Sequence, residues 1–539
     1  MSETPGDALT TEEKARIAPF VTDVDGPVFA LTNLPEVVKG ALFARYSRSP
    51  KPLRRLLLDE FLPPDADVEA GAERAVGEAR ATALYDRVLA DYGDDSVAQL
   101  GGAHVAVEGA SNLLTKALEW GRLASYLEQS TRYIRFDDRP GGRYRYHRPE
   151  RVMAHPALAP RYVAALDGAF AAYAGLIEPM IAHVDALVPE DAATPPAARR
   201  NAVRARALDA LRGMLPAATT ANVGIFASGQ AYEALLVRLQ AHPLAEAREC
   251  GERMLVELRK VIPAFLTRVD RPDRGVAHAR YLAESARAAE RMAHETLGQP
   301  PRAADGPAVR LVDFDPDGEA RVVAHALWPA SGRPLAEARA AAVAMSPERR
   351  REVLHAYAGP RADRRQRPGR ALEATGYAFE VVCDYGAYRD LQRHRLLSLQ
   401  AQPLTPHLGY DVPEEVVAAG LAEGYARVQE ESAALYAELA GDLPDEAAYA
   451  VTFAHRIRFT LVLNAREAMH LIELRSQPQG HESYRRVALE MHRLIREEAG
   501  HAAIAEMMRF VDRSLPPAGR LAAERRQAER EGRQATPTA

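Results

Sequence analysis

The chain has 539 residues, 47% of them apolar and 27% charged, and a formal net charge of -5. Roughly 150 residues per domain makes that length two to four units, and the composition excludes both a disordered chain and a surface that tracks nucleic acid or anionic lipid throughout. With only Cys250 and Cys383, no disulfide framework or cysteine zinc site can be drawn, which predicts a reducing, cytoplasmic setting and no metal centre.

Met1 to Lys14 is polar and acidic, without the apolar core that a secretory signal needs. No later window approaches the ~20 uninterrupted apolar residues of a spanning helix, so neither export nor membrane insertion is predicted. Tyr92-Gly93-Asp94-Asp95-Ser96 reads as a turn before a strand. Apolar residues at three- to four-residue spacing predict helix over Ala231 to Leu258 and again over Tyr484 to Met508. Between them, Gly298 to Pro307 is rich in proline and glycine and marks a boundary. Val309 to Phe314 and Arg321 to Ala326 are β-prone runs on either side of Asp315-Pro316-Asp317-Gly318, a pattern that predicts a hairpin. A short helix from Tyr385 ends at Arg393-His394-Arg395. Asn464, Arg466, His470 and Arg475 then fall in one helix, Asn464 and Arg475 on one face, Arg466 and His470 on another. Beyond Leu515 the chain is rich in Arg, Glu and Ala, as expected of a solvated helix or a disordered tail.

A weak internal repeat links the two halves. Lys116 to Ser130 (KALEWGRLASYLEQS) lies over Arg389 to Pro403 (RDLQRHRLLSLQAQP) at a shift of 273, and Ala227 to Leu239 (ASGQAYEALLVRL) lies opposite Leu463 to Arg475 (LNAREAMHLIELR) in the same order. Two matches in the same order predict a duplication. The second match is ambiguous by one residue, which leaves open whether Arg238 answers to Arg475. The expected organisation is a tail (1–29), a first domain (30–268), a helical connector and linker (269–305), a second domain (306–515) and a charged tail (516–539).

Guanidiniums on either side of an imidazole, as in Arg393-His394-Arg395, suit an electron-rich heterocycle or a pyrophosphate; taken alone, the triplet reads as a solvated basic helix end. The later helix alone reads equally well as an exposed amphipathic helix with Arg466 paired to Glu467 or Glu473. Together they are more specific. Arg393-His394-Arg395-Leu396-Leu397-Ser398, followed by Asn464-Ala465-Arg466, His470 and Arg475, resembles the flavin-dependent thymidylate synthase family. Its signature runs R-H-R-x-x-S-x-N-E-x-S-x-R, with a later helix of the form N-A-R-x-x-x-(N/H)-x-x-x-x-R. The second half then departs from the signature, with Gln400, Ala401, Pro403 and Thr405 in place of N-E-x-S-x-R. The first half is its mirror: Trp120-Gly121-Arg122 replaces the triplet, yet Glu128, Ser130 and Arg132 survive, and Arg212 precedes Leu215-Pro216 where the second half has Ala448. Its later helix is degraded, with Ala227 or Ser228, Gly229 or Gln230, and Glu233 or Ala234 at the key positions. Tyr92 to Ser96 is similar to the family's G-H-x-(T/S) turn, with Asp94 for the His.

The resemblance implies an α+β, helix-rich protein of two tandem domains, each a sheet packed with long helices. It further implies FAD bound by Arg393, His394, Arg395, Asn464, Arg466, His470 and Ser96. The substrate dUMP would be held by Glu128, Ser130, Arg132, Arg212, Arg393 and Arg475, with Arg475 the catalytic group facing the pyrimidine. Methylenetetrahydrofolate would donate the carbon and NADPH the reducing power, at composite sites in a homodimer that stands in for the family tetramer, without a nucleic-acid polymer or a membrane as partner. The rival expectations are a catalytically degenerate flavin- or nucleotide-binding homologue, a flavin enzyme alkylating another pyrimidine nucleotide, and a ligand-free helical scaffold.

Overall fold

A computed structural model of the chain describes residues 9–47, 49–62, 99–188, 194–298 and 308–514. The first half contributes β1 (Gly102–Ser111), α1 (Asn112–Leu118), β2 (Ala124–Glu128), α2 (Leu158–Leu187), α3 (Pro196–Leu211), β3 (Thr220–Ser228), α4 (Gly229–Ala241) and α5 (Ala245–Leu258). From the second come β4 (Val309–Phe314), α6 (Gly318–Ser331), β5 (Gly376–Asp384), α7 (Tyr385–Leu391), β6 (Ser398–Ala401), α8 (Ala422–Asp442), β7 (Arg456–Asn464), α9 (Ala465–Arg475) and α10 (Glu482–Glu497). The fold is therefore α+β and helix-rich, as expected.

Among the described residues the halves share a core in the same order, β1-α1-β2-α2-β3-α4-α5 in the first and β5-α7-β6-α8-β7-α9-α10 in the second. Among the described residues one sheet has the order β1-β3-β2 and the other β4-β5-β7-β6, so β5-β7-β6 reproduces β1-β3-β2. Register agrees as well: Ser125 opposes Phe226 on β2 and β3, and Ser398 opposes Val462 on β6 and β7. Inward residues alternate along both central strands, Val223, Ile225 and Ala227 in one, Ile457, Phe459, Leu461 and Leu463 in the other, and this period of two is what fixes register. The following helices start alike, the Ser228 side chain accepting from Ala231 N and the Asn464 side chain from Glu467 N. Cap and register together remove the one-residue ambiguity: Ser228 answers to Asn464, Gln230 to Arg466, Ala234 to His470 and Leu239 to Arg475, leaving Arg238 one place off.

Two expected elements change. Arg321 to Ala326 is helical, not the second arm of a hairpin. Asp315 accepts from Asp317 N through its side chain and from Gly318 N through its carbonyl, turning the chain into a helix that buries Ala320, Val323 and Ala324 at helical spacing; burial on a helical face overrides the β-propensity of its valines. The two long helical stretches are each interrupted, by His242 to Leu244 and by Glu498 to His501, where Gly500 takes φ +70°. Asn464 lies at the N-cap of α9 rather than within it.

The described residues form two compact units that do not follow chain order. One takes them from Met1–Ala110, Ala117–Gln129 and Ala221–Gln299, the other from Ser111–Lys116, Ser130–Thr220 and Pro300–Ala539. The second unit thus holds a long segment of the first half beside most of the second half, with α2 packed on α8. Inside it, Ala217 N donates to Val451 O (2.7 Å) and Phe453 N to Leu215 O (2.9 Å), around an antiparallel bridge between Pro216 and Thr452. These bonds exchange equivalent positions of the two copies, which is the signature of a local twofold axis.

Candidate functional site

α7 begins at Asp384, whose side chain accepts from Ala387 N (2.8 Å), and ends at Leu391. The Arg393-His394-Arg395 triplet then leaves the helix with its side chains alternating: His394 is buried, while Arg393 and Arg395 are exposed. α9 brings the partners of the buried imidazole. The His394 and His470 rings lie 5.2 Å apart, and His394 Nδ1 is 3.0 Å from Glu467 Oε1. Arg475 Nε donates to His394 Nε2 (3.0 Å). α9 is no exposed amphipathic helix: Glu467, Ala468, Met469, Leu471, Ile472 and Glu473 are buried. Glu473 is held by a bidentate Arg361 (2.7 and 2.6 Å), and Arg466 pairs with Pro368 O (3.0 Å) and Glu373 (3.4 Å) rather than with Glu467 or Glu473.

Charge is concentrated here. Asp390, on α7, is buried and meets three guanidiniums: Arg393 in direct contact, and Arg212 and Arg475, each 3.6 Å away. Burial, then the charges of Arg475, His470 and Arg393, holds His394 well below the usual imidazole range, so it is neutral at pH 7. Burial pushes Glu467 up to about 7 and, with Arg367 and Arg364, holds His470 down at about 4. His394, Glu467 and His470 have ligand atoms close enough to suggest a metal site. The surroundings oppose one: both ring nitrogens of His394 are already engaged, and Arg364, Arg367, Arg393 and Arg475 repel a cation.

The first copy supplies the remaining groups within the same compact unit. Arg132 Nη1 donates to the buried Tyr484 Oη (3.4 Å), and the Arg475 guanidinium lies 5.3 Å from the Tyr484 ring centre. Burial alone would raise the Tyr484 phenol, but Arg132 and Arg475 pull it below its ordinary value. Ser130 Oγ accepts from Arg132 N (3.3 Å). Arg212 is 4% exposed, and its Nε and Nη2 have no hydrogen-bond partner, although Asp209 lies 3.5 Å from Nε. Burial pushes the Arg212 guanidinium down, with Asp209 opposing. Asp209 in turn is 3.2 Å from His481; burial would raise its carboxyl, but His481 and Arg212 hold it well below the carboxylate range. A cavity of about 100 Å³ opens beside these groups, lined by Arg206, Asp209, Arg212, Tyr425, His481 and Arg486.

Of the expected site residues, Arg132, Arg212, Arg393, His394, His470 and Arg475 thus form one connected cluster, with Ser130 bonded to the backbone of Arg132. Asn464 caps α9, and Arg395 is exposed beside His394. Glu128 belongs to the other unit, at the end of β2 opposite Val223. Ser96 and Asp94 lie outside the described residues. Asp209, Asp390, Glu467, His481 and Tyr484 were missed. Only Asp209 and Asp390 had a local signal, each standing three residues before an expected arginine on or beside a helix.

A family model described as thymidylate synthase complementing protein matches residues 45–264 and 310–500. The chain belongs to that family, as a duplicated member. Relatives match it over nearly their whole length: a UPF0159 protein of Chlamydia pneumoniae is 39% identical over 96% of this chain and 98% of its own. The UPF0159 protein of Thermoplasma acidophilum is 29% identical over 90% and 97%. Among solved structures, a UMP/dUMP methylase from Streptomyces cacaoi bound with 5-Br dUMP is similar over 38% of this chain and 97% of its own, with 18% identity and a TM-score of 0.30.

Proposed function

We propose that the protein is an FAD-dependent thymidylate synthase that methylates dUMP to dTMP, with methylenetetrahydrofolate as carbon donor and NADPH as reductant. The observation that carries this reading is the meeting of Arg132 and Arg212, from the first copy, with Arg393, His394 and Arg475, from the second, in one cluster. Arg212 supports it independently: a buried guanidinium with two unbonded N–H groups beside a cavity suits phosphate oxygens.

On this reading Arg132 and Arg212 hold the 5′-phosphate and Ser130 adds a hydroxyl. Arg475 stabilises negative charge developing on the pyrimidine and so favours attack by C5; a donor fixed beforehand does this without reorganisation. The donor set also fits FAD, since Arg393, Arg395 and Arg466 offer guanidiniums for a pyrophosphate, and the part-exposed His470, backed by the buried His394, offers a ring. Asn464 and Ser96 complete the expected flavin contacts. Bound and reduced, FAD would supply the hydride. Two chains would provide the four domains of a family tetramer, so a closed homodimer with one FAD per chain is expected; light scattering and flavin titration check this, and two FAD per chain would refute the composite site.

The test is direct. The purified protein should show a flavin spectrum and form dTMP once dUMP, methylenetetrahydrofolate and NADPH are added. Flavin and dUMP binding without product would favour the degenerate homologue, a reading supported by the carboxylates of Asp209 and Asp390 that already compensate Arg212. Methylation of another pyrimidine nucleotide in preference to dUMP would favour the altered-substrate reading suggested by Gln400 and Ala401.

A further inference from the structure

We propose that Glu467 is a positioning residue: it keeps the single proton of His394 on Nδ1, so that Nε2 stays a bare acceptor and locks the Arg475 guanidinium in one orientation. Donor and acceptor roles fix the tautomer. An arginine Nε–H can only donate, and it points at His394 Nε2 from 3.0 Å, so Nε2 carries a lone pair. A neutral imidazole has one proton, which must then sit on Nδ1, 3.0 Å from Glu467 Oε1. An imidazolium would set a second N–H against Arg475, and the buried, arginine-rich surroundings already disfavour it. The far end of the guanidinium is fixed too, since Arg475 Nη2 donates to Asp390 O. Glu467, His394 and Arg475 thus form a chain of hydrogen bonds that ends on the group assigned to the pyrimidine.

The duplication supplies an independent observation. By the register of the two sheets, Glu467, His394 and Arg475 answer to Ala231, Gly121 and Leu239 in the first copy. All three members of the chain are missing there together, as expected of groups that are useful only in combination. His470 lies on the same face of α9 as Arg466 and meets the imidazole at a 58° tilt, leaving both of its nitrogens to Glu467 and Arg475.

The functional half of this inference rests on the thymidylate synthase reading, whereas the tautomer does not. With histidines labelled by ¹⁵N, and His394 assigned by its disappearance in His394→Gln, the full-length protein at neutral pH should show a proton on Nδ1 and none on Nε2. A proton on Nε2, or an imidazolium, would overturn the proposal whether or not any dTMP is formed. In the dTMP assay, Glu467→Leu should lower kcat at least about tenfold, the loss expected when a buried donor, here His394 Nδ1–H, is left without its acceptor, and change the KM for dUMP less. Glu467→Gln should recover most of the rate, because its amide oxygen still accepts from Nδ1–H. An unchanged kcat in Glu467→Leu would also overturn it. Absence of dTMP in the wild type would instead sink the thymidylate synthase reading and leave the tautomer to decide the relay.

Discussion

The two copies keep one backbone and have exchanged their chemistry. β2 and β3 pair in the register of β6 and β7, and α4 and α9 start on equivalent caps, yet Leu239 stands for Arg475, Gly121 for His394 and Ala448 for Arg212. What is shared is inward-facing: Val223, Ile225 and Ala227 repeat as Phe459, Leu461 and Leu463, and slipping either strand by one residue would expose the whole set. What differs lies where a helix or 3₁₀ turn begins or ends, at positions that can change without moving the sheet. Fold and site are therefore under separate constraints in this chain, and each copy can be tested for one without disturbing the other.

The largest expected contrast is at the ends of α4 and α9. Arg475→Ala should cut dTMP formation by about 10²–10³-fold, the range for losing a fixed donor to developing charge. Leu239→Ala, at the equivalent buried position, should instead cost about 2–5 kcal/mol of stability, read by denaturant unfolding, with dUMP binding retained by the folded fraction. The comparison breaks if both variants behave alike. Next come the binding residues. Arg132→Ala and Arg212→Ala should weaken dUMP at least about tenfold and leave flavin bound, whereas Arg393→Ala and Arg466→Ala should release flavin and Trp120→Ala should not. Unchanged dUMP titrations in the first pair would make the first copy structural; equal flavin occupancy in Arg393→Ala, Arg466→Ala and Trp120→Ala would remove the division between copies.

The smallest effect is in stability against pH. Burial raises the Glu467 carboxyl from 4.5 to about 7, so between those values the folded chain keeps a proton that the unfolded chain has released, and stability falls as pH rises through that window. His470, held down at about 4 against an ordinary 6.5, gives the opposite slope between those two values, since there the unfolded chain binds the extra proton. Glu467→Gln removes only the first contribution. Between about pH 5 and about pH 8 the variant should therefore gain more stability, or lose less, than the wild type by denaturant titration; identical pH dependences would mean that Glu467 titrates as an ordinary surface carboxylate.

The triplet at Arg393 and the helix ending at Arg475 were legible because the residues of each are close neighbours in the chain, and their order together matches the family signature; the duplication was legible because two such short segments recur in the same order. Tyr484 was invisible for the opposite reason, since it reaches Arg132 across 352 positions of chain, and nothing about a tyrosine in an arginine-rich helix announces such a partner. In the sequence Glu467 is only one of two candidate partners for Arg466 on an exposed helix; its burial and its contact with His394 depend on how α9 packs. The hairpin assigned to Arg321 to Ala326 failed because valines carry β-propensity whichever element they serve, and packing decided in favour of helix. The division of the first half between two compact units left no trace in composition, since it depends on which segments pack together.

The exchange of hydrogen bonds about Pro216 and Thr452 has an evolutionary consequence. In a homodimer with such an axis every substitution appears twice, on both sides of a self-complementary interface, so neither side can specialise. Once the two sides are parts of one polypeptide, a change such as Ala448 opposite Arg212 is made once, and each copy is free to lose what the other retains. That freedom works as a ratchet. A separated second half would lack Arg132 and Arg212, a separated first half would lack Arg475, and a return to identical single-copy subunits would require several losses to be reversed at the same time.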